Sequence, residues 1–108
     1  MKPRIMYLES KAEGLSGGEA YIGRVTFSKT GQTIYYRGRT FQKIPGGGIK
    51  ANYFEETSGA EFWISGPKKD GSDRLYRERV PVEIDEDVRA EYWISIRKLP
   101  DEKERKTA

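Results

Sequence analysis

Hydrophobic and polar residues alternate along much of the chain, which is the pattern of half-buried β-strands. The clearest case is Tyr21–Ser28 (YIGRVTFS), where one set of alternate residues, including Val25 and Phe27, predicts an inward face. Thr30–Gly31 then predicts a tight two-residue turn, and Thr33–Arg37 predicts the returning antiparallel strand. This hairpin is the strongest structural prediction from the sequence.

Further strands are predicted wherever short apolar or alternating segments end at turn residues. These segments are Arg4–Glu9, Arg39–Ile44, Ala51–Phe54, Glu61–Ser65 and Val80–Ile84. Gly38 predicts a bulge or sharp bend, and Glu56–Gly59 predicts the turn of a second hairpin. Pro81 has no N–H to donate, so its strand is expected at a sheet edge. Loops are predicted at Lys11–Gly18, Pro45–Gly48 and Gly66–Gly71.

One helix is predicted near the C-terminus, with Asp85 as its N-cap and an end near Ile96, before Pro100. Val88 and Tyr92, with Trp93 and Ile96, are expected to face the sheet. Residues 101–108 balance their charges and lack a large apolar side chain, which predicts a frayed tail whose removal has little effect on stability. We therefore expect one mainly β domain (α+β) over residues 1–100: a strongly bent antiparallel sheet or open barrel of about five or six strands with one C-terminal helix.

Composition supports a single domain with a small core. The chain has 108 residues, of which 35% are hydrophobic and 34% charged, against norms of roughly 45–50% and about 25%. Seven Tyr, four Phe and two Trp supply large rings, each of which buries about 150–250 Å². The aromatic residues therefore make folding possible despite the low apolar content.

The residue types that are missing exclude several kinds of chemistry. The chain has no His and no Cys, so it has no imidazole base, no thiolate nucleophile and no disulfide. An enzyme is therefore the least favoured class. The sequence also shows no signal peptide and no long apolar run, so we expect a cytoplasmic protein without a membrane partner.

Two short motifs resemble ligand sites but have simpler interpretations. Gly46–Ala51 fits the letters of a dinucleotide-binding loop, but a strand-like segment follows it where that motif needs a helix. We therefore predict no nucleotide cofactor. The acids Asp85, Glu86 and Asp87 offer oxygen ligands for Mg²⁺ or Ca²⁺, but helix capping explains all three, so no metal is predicted.

Charge is distributed unevenly along the chain. Residues 20–50 contain six Lys or Arg and no acid, whereas residues 80–92 contain five acids and one Arg. This predicts a basic face and an acidic face. Clustered cations with aromatic rings between them are typical of phosphate-backbone binding, although solvated strand edges carry such charges too.

The predicted hairpin turns this charge pattern into a candidate site. Its register pairs Thr26 with Tyr35 and places Arg24 opposite Arg37, and like charges directly opposite destabilise a sheet. An anion across this face would explain the pair, with Tyr35 as a stacking surface for a base. A different loop length would instead shift the register by one residue and separate the two arginines. The candidate binding residues are Arg24, Lys29, Tyr35, Arg37, Arg39, Lys43, Lys68 and Lys69.

Four longer segments of the chain have distinctive sequences: Gly23–Gly31 (GRVTFSKTG), Ile34–Arg39 (IYYRGR), Trp63–Gly71 (WISGPKKDG) and Ile84–Arg89 (IDEDVR). Together they resemble strings found in a family of small uncharacterised bacterial proteins of similar length. The resemblance covers roughly residues 4–94. It implies a bacterial, intracellular protein but no activity, cofactor or catalytic residue.

The leading functional hypothesis is a non-catalytic module that binds RNA or single-stranded DNA through the basic hairpin. The alternative is a protein-interaction or self-association domain that uses the opposed basic and acidic faces. Co-purification of the protein from cell extract, with and without nuclease, would best distinguish the two hypotheses.

Overall fold

The chain folds as a β-barrel that carries a short helix on one side. The computed structural model describes residues 2–11, 18–46, 51–74 and 81–108. Within these residues seven strands form: β1 (Arg4–Ser10), β2 (Ala20–Phe27), β3 (Thr33–Tyr36), β4 (Arg39–Lys43), β5 (Tyr53–Glu55), β6 (Glu61–Ser65) and β7 (Val82–Ile84). The predicted mainly β fold with one C-terminal helix is confirmed. Most of the predicted loop at 11–18, part of the loop at 45–48, Lys50 and Val80 lie outside the described residues.

Strands β1 to β6 close into an antiparallel barrel in the order β1–β6–β5–β4–β3–β2, with β2 paired again to β1. β1 makes the closure, because Leu8 pairs with Tyr21 of β2 on one side and with Ile64 of β6 on the other. The sequence predicted an open barrel or a bent sheet. Closure goes further and gives every one of these six strands a partner on both edges.

The seventh strand lies outside the barrel and runs parallel to β2. Ala20 pairs with Val82 and Ile22 with Ile84. β3 pairs with the other end of the same edge of β2, beginning at Thr26. One edge of β2 is therefore divided between the barrel strand β3 and the outer strand β7.

An eleven-residue helix, α1, follows β7. It consists of a 3-10 turn (Glu86–Val88), an α-helical turn (Arg89–Glu91) and a π-helical segment (Tyr92–Ile96). Val88, Tyr92 and Trp93 are buried and Ile96 is partly buried, as predicted. Of the described helices, none has the length and apolar character needed to cross a membrane.

Two hydrophobic clusters lie on the two sides of β1. Met6 and Leu8 point into the barrel, whereas Ile5 and Tyr7 pack beneath α1. The barrel cluster also contains Val25, Ile34, Tyr36, Phe41, Phe62 and Ile64. The outer cluster also contains Ala20, Ile22, Val82, Ile84, Val88, Tyr92 and Trp93. Because β1 is buried on both faces, its sequence is a continuous apolar run rather than an alternation.

The β2–β3 hairpin has the predicted register. Thr26 pairs with Tyr35 and Phe27 with Ile34. Ile34 is fully buried in the barrel and Tyr35 is exposed, so the predicted inner and outer faces are confirmed. The alternative register, shifted by one residue, is therefore excluded.

The turns at the two ends of β3 differ in length. The amide of Ser28 bonds the carbonyl of Thr33, which leaves residues 29–32 as a four-residue loop rather than the predicted two-residue turn. At the other end, Arg37 and Gly38 have φ of 51° and 72°. These values make a tight two-residue connection to β4, in agreement with the predicted bend at Gly38.

The prediction of a frayed tail at 101–108 is wrong. The amide of Ile84 donates to the carbonyl of Lys106 and that of Ala108 donates to Val82, both at 2.9 Å. Thr107 forms a β-bridge with Glu83. These backbone bonds, which the side-chain pattern of the tail does not reveal, cover the free edge of β7.

Candidate functional site

The predicted binding residues do not form one surface. Arg37 lies in the turn between β3 and β4, and Arg39 begins β4 at the same end of the barrel, whereas Lys29 and Lys43 lie at the opposite end. Strands of four or five residues separate these ends by about 13–16 Å. Arg24 and Lys69 occupy a third region, described below.

The predicted opposition of Arg24 and Arg37 is wrong. β3 ends at Tyr36, and Arg37 turns away with a positive φ. Each arginine instead has its own carboxylate: Arg24 bonds Glu91 at 2.7 Å, and Arg37 bonds Asp85. The basic segment and the acidic segment of the sequence thus pair with each other inside one molecule.

Asp85 connects the helix to the barrel. It precedes the first helical turn as predicted, but its side chain makes no capping bond. Its carboxylate accepts hydrogen bonds from the Tyr36 hydroxyl, at 2.6 Å, and from the Arg37 guanidinium. Gly23 lies directly beneath this contact, and its missing side chain makes room for it.

Arg39 closes the same end of the barrel. Its guanidinium lies 3.4 Å from the carboxylate of Glu55 and 3.9 Å from that of Glu19. It also stacks over the buried ring of Phe62 at 5.1 Å. A hydrogen bond from the Ser58 hydroxyl, together with Arg39, holds the pKa of Glu55 below its usual value. Arg39 is therefore engaged with the protein itself.

Lys29, Lys43 and Lys68 are exposed. Within the described part of the chain, Lys29 and Lys43 form no ion pair with a carboxylate. The backbone amide of Lys68 donates to Asp73 at 2.7 Å, and this bond closes the loop that contains Lys69. Burial raises the pKa of the Asp73 carboxyl, although the hydrogen bond from Lys68 acts in the opposite direction.

Tyr35 stands on the outer face of the barrel. Its side chain is 43% exposed, and its cross-strand neighbours are Thr26 on β2 and Thr40 on β4. The segment that contains β2, β3 and β4 has no Asp or Glu. This face therefore presents an accessible ring among neutral hydrogen-bonding side chains.

A cleft of about 440 Å³ opens beside this face, and we call it the cationic cleft. It lies between the start of β1, residues 66–69 and the second half of α1, and its charged lining residues are Arg4, Arg24, Lys69 and Glu91. Arg4 and Lys69 are exposed, and no carboxylate within the described ranges forms an ion pair with either. Three cations around one carboxylate make this cleft suited to an anion.

Two charged residues of the cleft, Arg4 and Glu91, were absent from the candidate site that the sequence predicted. Arg4 is the first residue of β1 and lies far in sequence from Arg24 and Lys69. Pairing of Arg4 with Val25 brings the start of β1 next to Arg24. β1 and β2 are consecutive strands, but the sequence predicts no register for this pair, so it does not place Arg4 beside Arg24.

A second charged group, also missed from the sequence, is fully buried. Glu9 is 2% exposed and accepts hydrogen bonds from Tyr7 and from Lys11, the latter at 2.7 Å. Arg74 lies 3.6 Å from the same carboxylate and donates to the carbonyl of Gly18 at 2.8 Å. Two cations thus compensate the buried carboxylate, and the group ties residue 74 to β1.

The buried tyrosines imply a loss of stability at high pH. Burial, with hydrogen bonds to Glu9 and Asp85 respectively, raises the pKa of Tyr7 and of Tyr36 well above the ordinary value. Below about pH 10 both are neutral in the folded and unfolded chain, and their contribution to stability is complete. Above about pH 10 these tyrosine hydroxyls lose their protons in the unfolded chain before they do so in the folded chain. The free energy of unfolding therefore falls by up to about 1.4 kcal/mol per pH unit for each tyrosine.

Urea unfolding at several values between about pH 8 and pH 11 measures this decline. Tyr7→Phe and Tyr36→Phe each remove one of the titrating groups and are expected to make the decline shallower. Tyr35→Phe is the matched control, since Tyr35 is exposed. A decline of equal steepness in all four proteins would contradict this account.

Comparison of the chain with models of protein families finds no match. No curated protein and no solved structure matches it either. The resemblance to a bacterial family stays a prediction, and any function has to be argued from the geometry of the chain.

Proposed function

We propose that this protein is a non-catalytic module that binds single-stranded nucleic acid, with phosphates in the cationic cleft and a base stacked on Tyr35. The observation that carries the proposal is the cleft itself, which Arg4, Arg24 and Lys69 line together with Glu91, the one acid among its described lining residues. Phosphate contacts by Lys and Arg supply most of the affinity in sequence-independent binding of nucleic acid. The proposal covers both RNA and single-stranded DNA.

The cleft and the aromatic ring are close enough to act together. Thr26 pairs with Tyr35, and Arg24 lies two residues before Thr26 on the same face of β2. Diagonal neighbours of this kind are about 7–8 Å apart between their Cα atoms. One nucleic-acid strand can therefore contact Arg24 through a phosphate and Tyr35 through a base. Proteins that bind single-stranded nucleic acid with little sequence preference use this combination.

The internal charge pairs also bear on the choice of partner. The alternative, a protein-interaction or self-association domain, depends on two opposed faces, one basic and one acidic. In the folded chain, Arg24 pairs with Glu91 and Arg37 with Asp85, so part of each segment is neutralised within the molecule. The surplus of positive charge in the cleft favours a polyanion over a second copy of this chain.

Gel retardation of a single-stranded oligonucleotide tests the proposal. We expect wild type to bind at low salt and to release the strand as salt rises, because binding displaces counterions. Lys69→Ala is expected to flatten the slope of log K against log salt by about one unit. Tyr35→Ala is expected to weaken binding by about 1–3 kcal/mol while leaving the slope nearly unchanged.

Lys103→Ala is the matched control, because it removes an exposed cation that does not line the cleft. It is expected to change affinity less than Lys69→Ala does. Absence of retardation at low salt would overturn the proposal. Equal effects of the two lysine substitutions would show that the cleft is not the binding site. Binding would then reflect only the general attraction of a basic protein for a polyanion.

A further inference from the structure

Glu91 occupies an unusual position in the cationic cleft. Among the described residues that line the cleft, it is the only acid, and its Oε1 lies 2.7 Å from Nη2 of Arg24. Arg24 projects from the barrel, whereas Glu91 projects from α1. The ion pair therefore spans the cleft between the two layers of the fold.

We propose that Glu91 holds the place of a ligand phosphate on Arg24, and that a phosphate of the nucleic acid displaces this carboxylate on binding. This inference rests on the proposed function and assigns a regulatory role within the same site. Carboxylate and phosphate oxygens accept the same charge-assisted hydrogen bonds from a guanidinium group. The two anions therefore compete for one donor.

The exposure of the pair makes the exchange possible. The side chains of Arg24 and Glu91 are 37% and 51% exposed, and ion pairs between exposed residues are weak because water screens them. A released Glu91 side chain can point into solvent without leaving a buried charge. Displacement then requires no movement of α1 or of β2.

The contact also sets which anions can bind. A single small anion gains little by replacing Glu91, since it exchanges one weak ion pair for another. A nucleic-acid strand with several phosphates contacts Arg4, Arg24 and Lys69 at the same time, and these contacts add to its affinity. Glu91 is therefore expected to favour polyanions over free phosphate.

Substitution of Glu91 with Gln, which keeps the size of the side chain and removes its charge, tests this role. We expect Glu91→Gln to bind an oligothymidylate about two- to fivefold more tightly than wild type at low salt. We also expect it to bind inorganic phosphate more tightly than wild type does. Glu86→Gln is the matched control, since it removes an equal charge from an exposed position of the same helix outside the cleft.

A double-mutant cycle shows whether Glu91 acts through Arg24. In an Arg24→Ala background, Glu91→Gln is expected to give a smaller gain in affinity than it gives in wild type. An undiminished gain would overturn the inference, as would an equal gain from Glu86→Gln, because either result means that only net charge matters.

The possible outcomes separate the inference from the proposed function. If wild type binds the strand and Glu91→Gln binds no more tightly, the inference fails and the proposed function stands. If only Glu91→Gln binds the strand, the result supports the inference that Glu91 competes with phosphate for Arg24. The same result contradicts the proposed binding function of the wild-type chain. If neither protein binds, both are overturned.

Discussion

Gly23→Ala is expected to lower the free energy of unfolding by about 3 kcal/mol, near the upper end of the cost of overpacking a core. A β-carbon at position 23 would lie 2.4 Å from Cε1 of Tyr36 and 2.6 Å from Oδ2 of Asp85. Both partners are held in place, Tyr36 by the barrel core and Asp85 by the junction of β7 and α1. The added methyl group therefore has to break the bond between them or move β2.

A urea unfolding curve measures this effect, with Gly66→Ala as the matched control. At position 66 the nearest atom to an added β-carbon is Nη2 of Arg4 at 3.5 Å, an ordinary contact with the end of a flexible side chain. Gly66→Ala should leave the unfolding midpoint almost unchanged. If the two variants unfold at the same urea concentration, the packing at Gly23 does not constrain the fold.

A second measurement identifies the clash partner. In a Tyr36→Ala background the ring is absent, so Gly23→Ala is expected to cost less than it costs in wild type. This non-additivity is the signature of residues in direct contact. Simple addition of the two effects would place the strain elsewhere.

The sequence predicts the parts of this fold that depend on neighbouring residues. The alternation from Tyr21 to Ser28 predicts the inner face of β2, and its return at residues 33–37 predicts the register with β3. The limits of β6 and of the terminal helix also follow from local patterns. In the β2–β3 hairpin the partners are close in sequence, so one loop length determines the pairing.

The parts that escape prediction are contacts between distant segments. β1 is apolar on both faces and does not reveal that it pairs with both β2 and β6. The parallel pairing of β2 with β7 joins residues about sixty positions apart. Because period-two patterns report which face is buried and not which strand lies alongside, barrel closure is invisible in them.

The same distinction applies to the candidate site. Arg24 and Tyr35 come together through the hairpin, and the sequence predicts their proximity. Arg4 reaches Arg24 through the β1–β2 pairing, whereas Lys69 and Glu91 line the same cleft only after the barrel closes and α1 docks. Charge counted along the chain also misleads, because it treats Arg37 and Asp85 as members of opposite faces when they form one ion pair.

Removal of residues 101–108 is expected to destabilise the protein by about 2–4 kcal/mol, contrary to the small effect that the composition of this segment suggests. The deletion removes the carbonyl of Arg105, which accepts from the Trp93 indole at 2.8 Å, and the backbone bonds to Ile84 and Val82. A hydrogen bond contributes about 1 kcal/mol, and a buried donor that loses its partner costs about 1–3 kcal/mol. For a domain of this size, the thermal midpoint should fall by about 10–20 °C.

A thermal melt compares the truncated chain with a full-length control that carries Lys103→Ala and Glu104→Ala. These substitutions change exposed side chains of the same segment and leave its backbone bonds intact. The control should therefore have the same thermal midpoint as wild type. The thermal midpoint of Trp93→Phe, which removes only the indole donor and part of the ring, is expected to lie between those of the control and the truncated chain.

Because the deletion also uncovers the edge of β7, the truncated chain should self-associate more readily as its concentration rises. Coincident melts of the truncated and full-length chains would show that the tail bonds contribute nothing to stability.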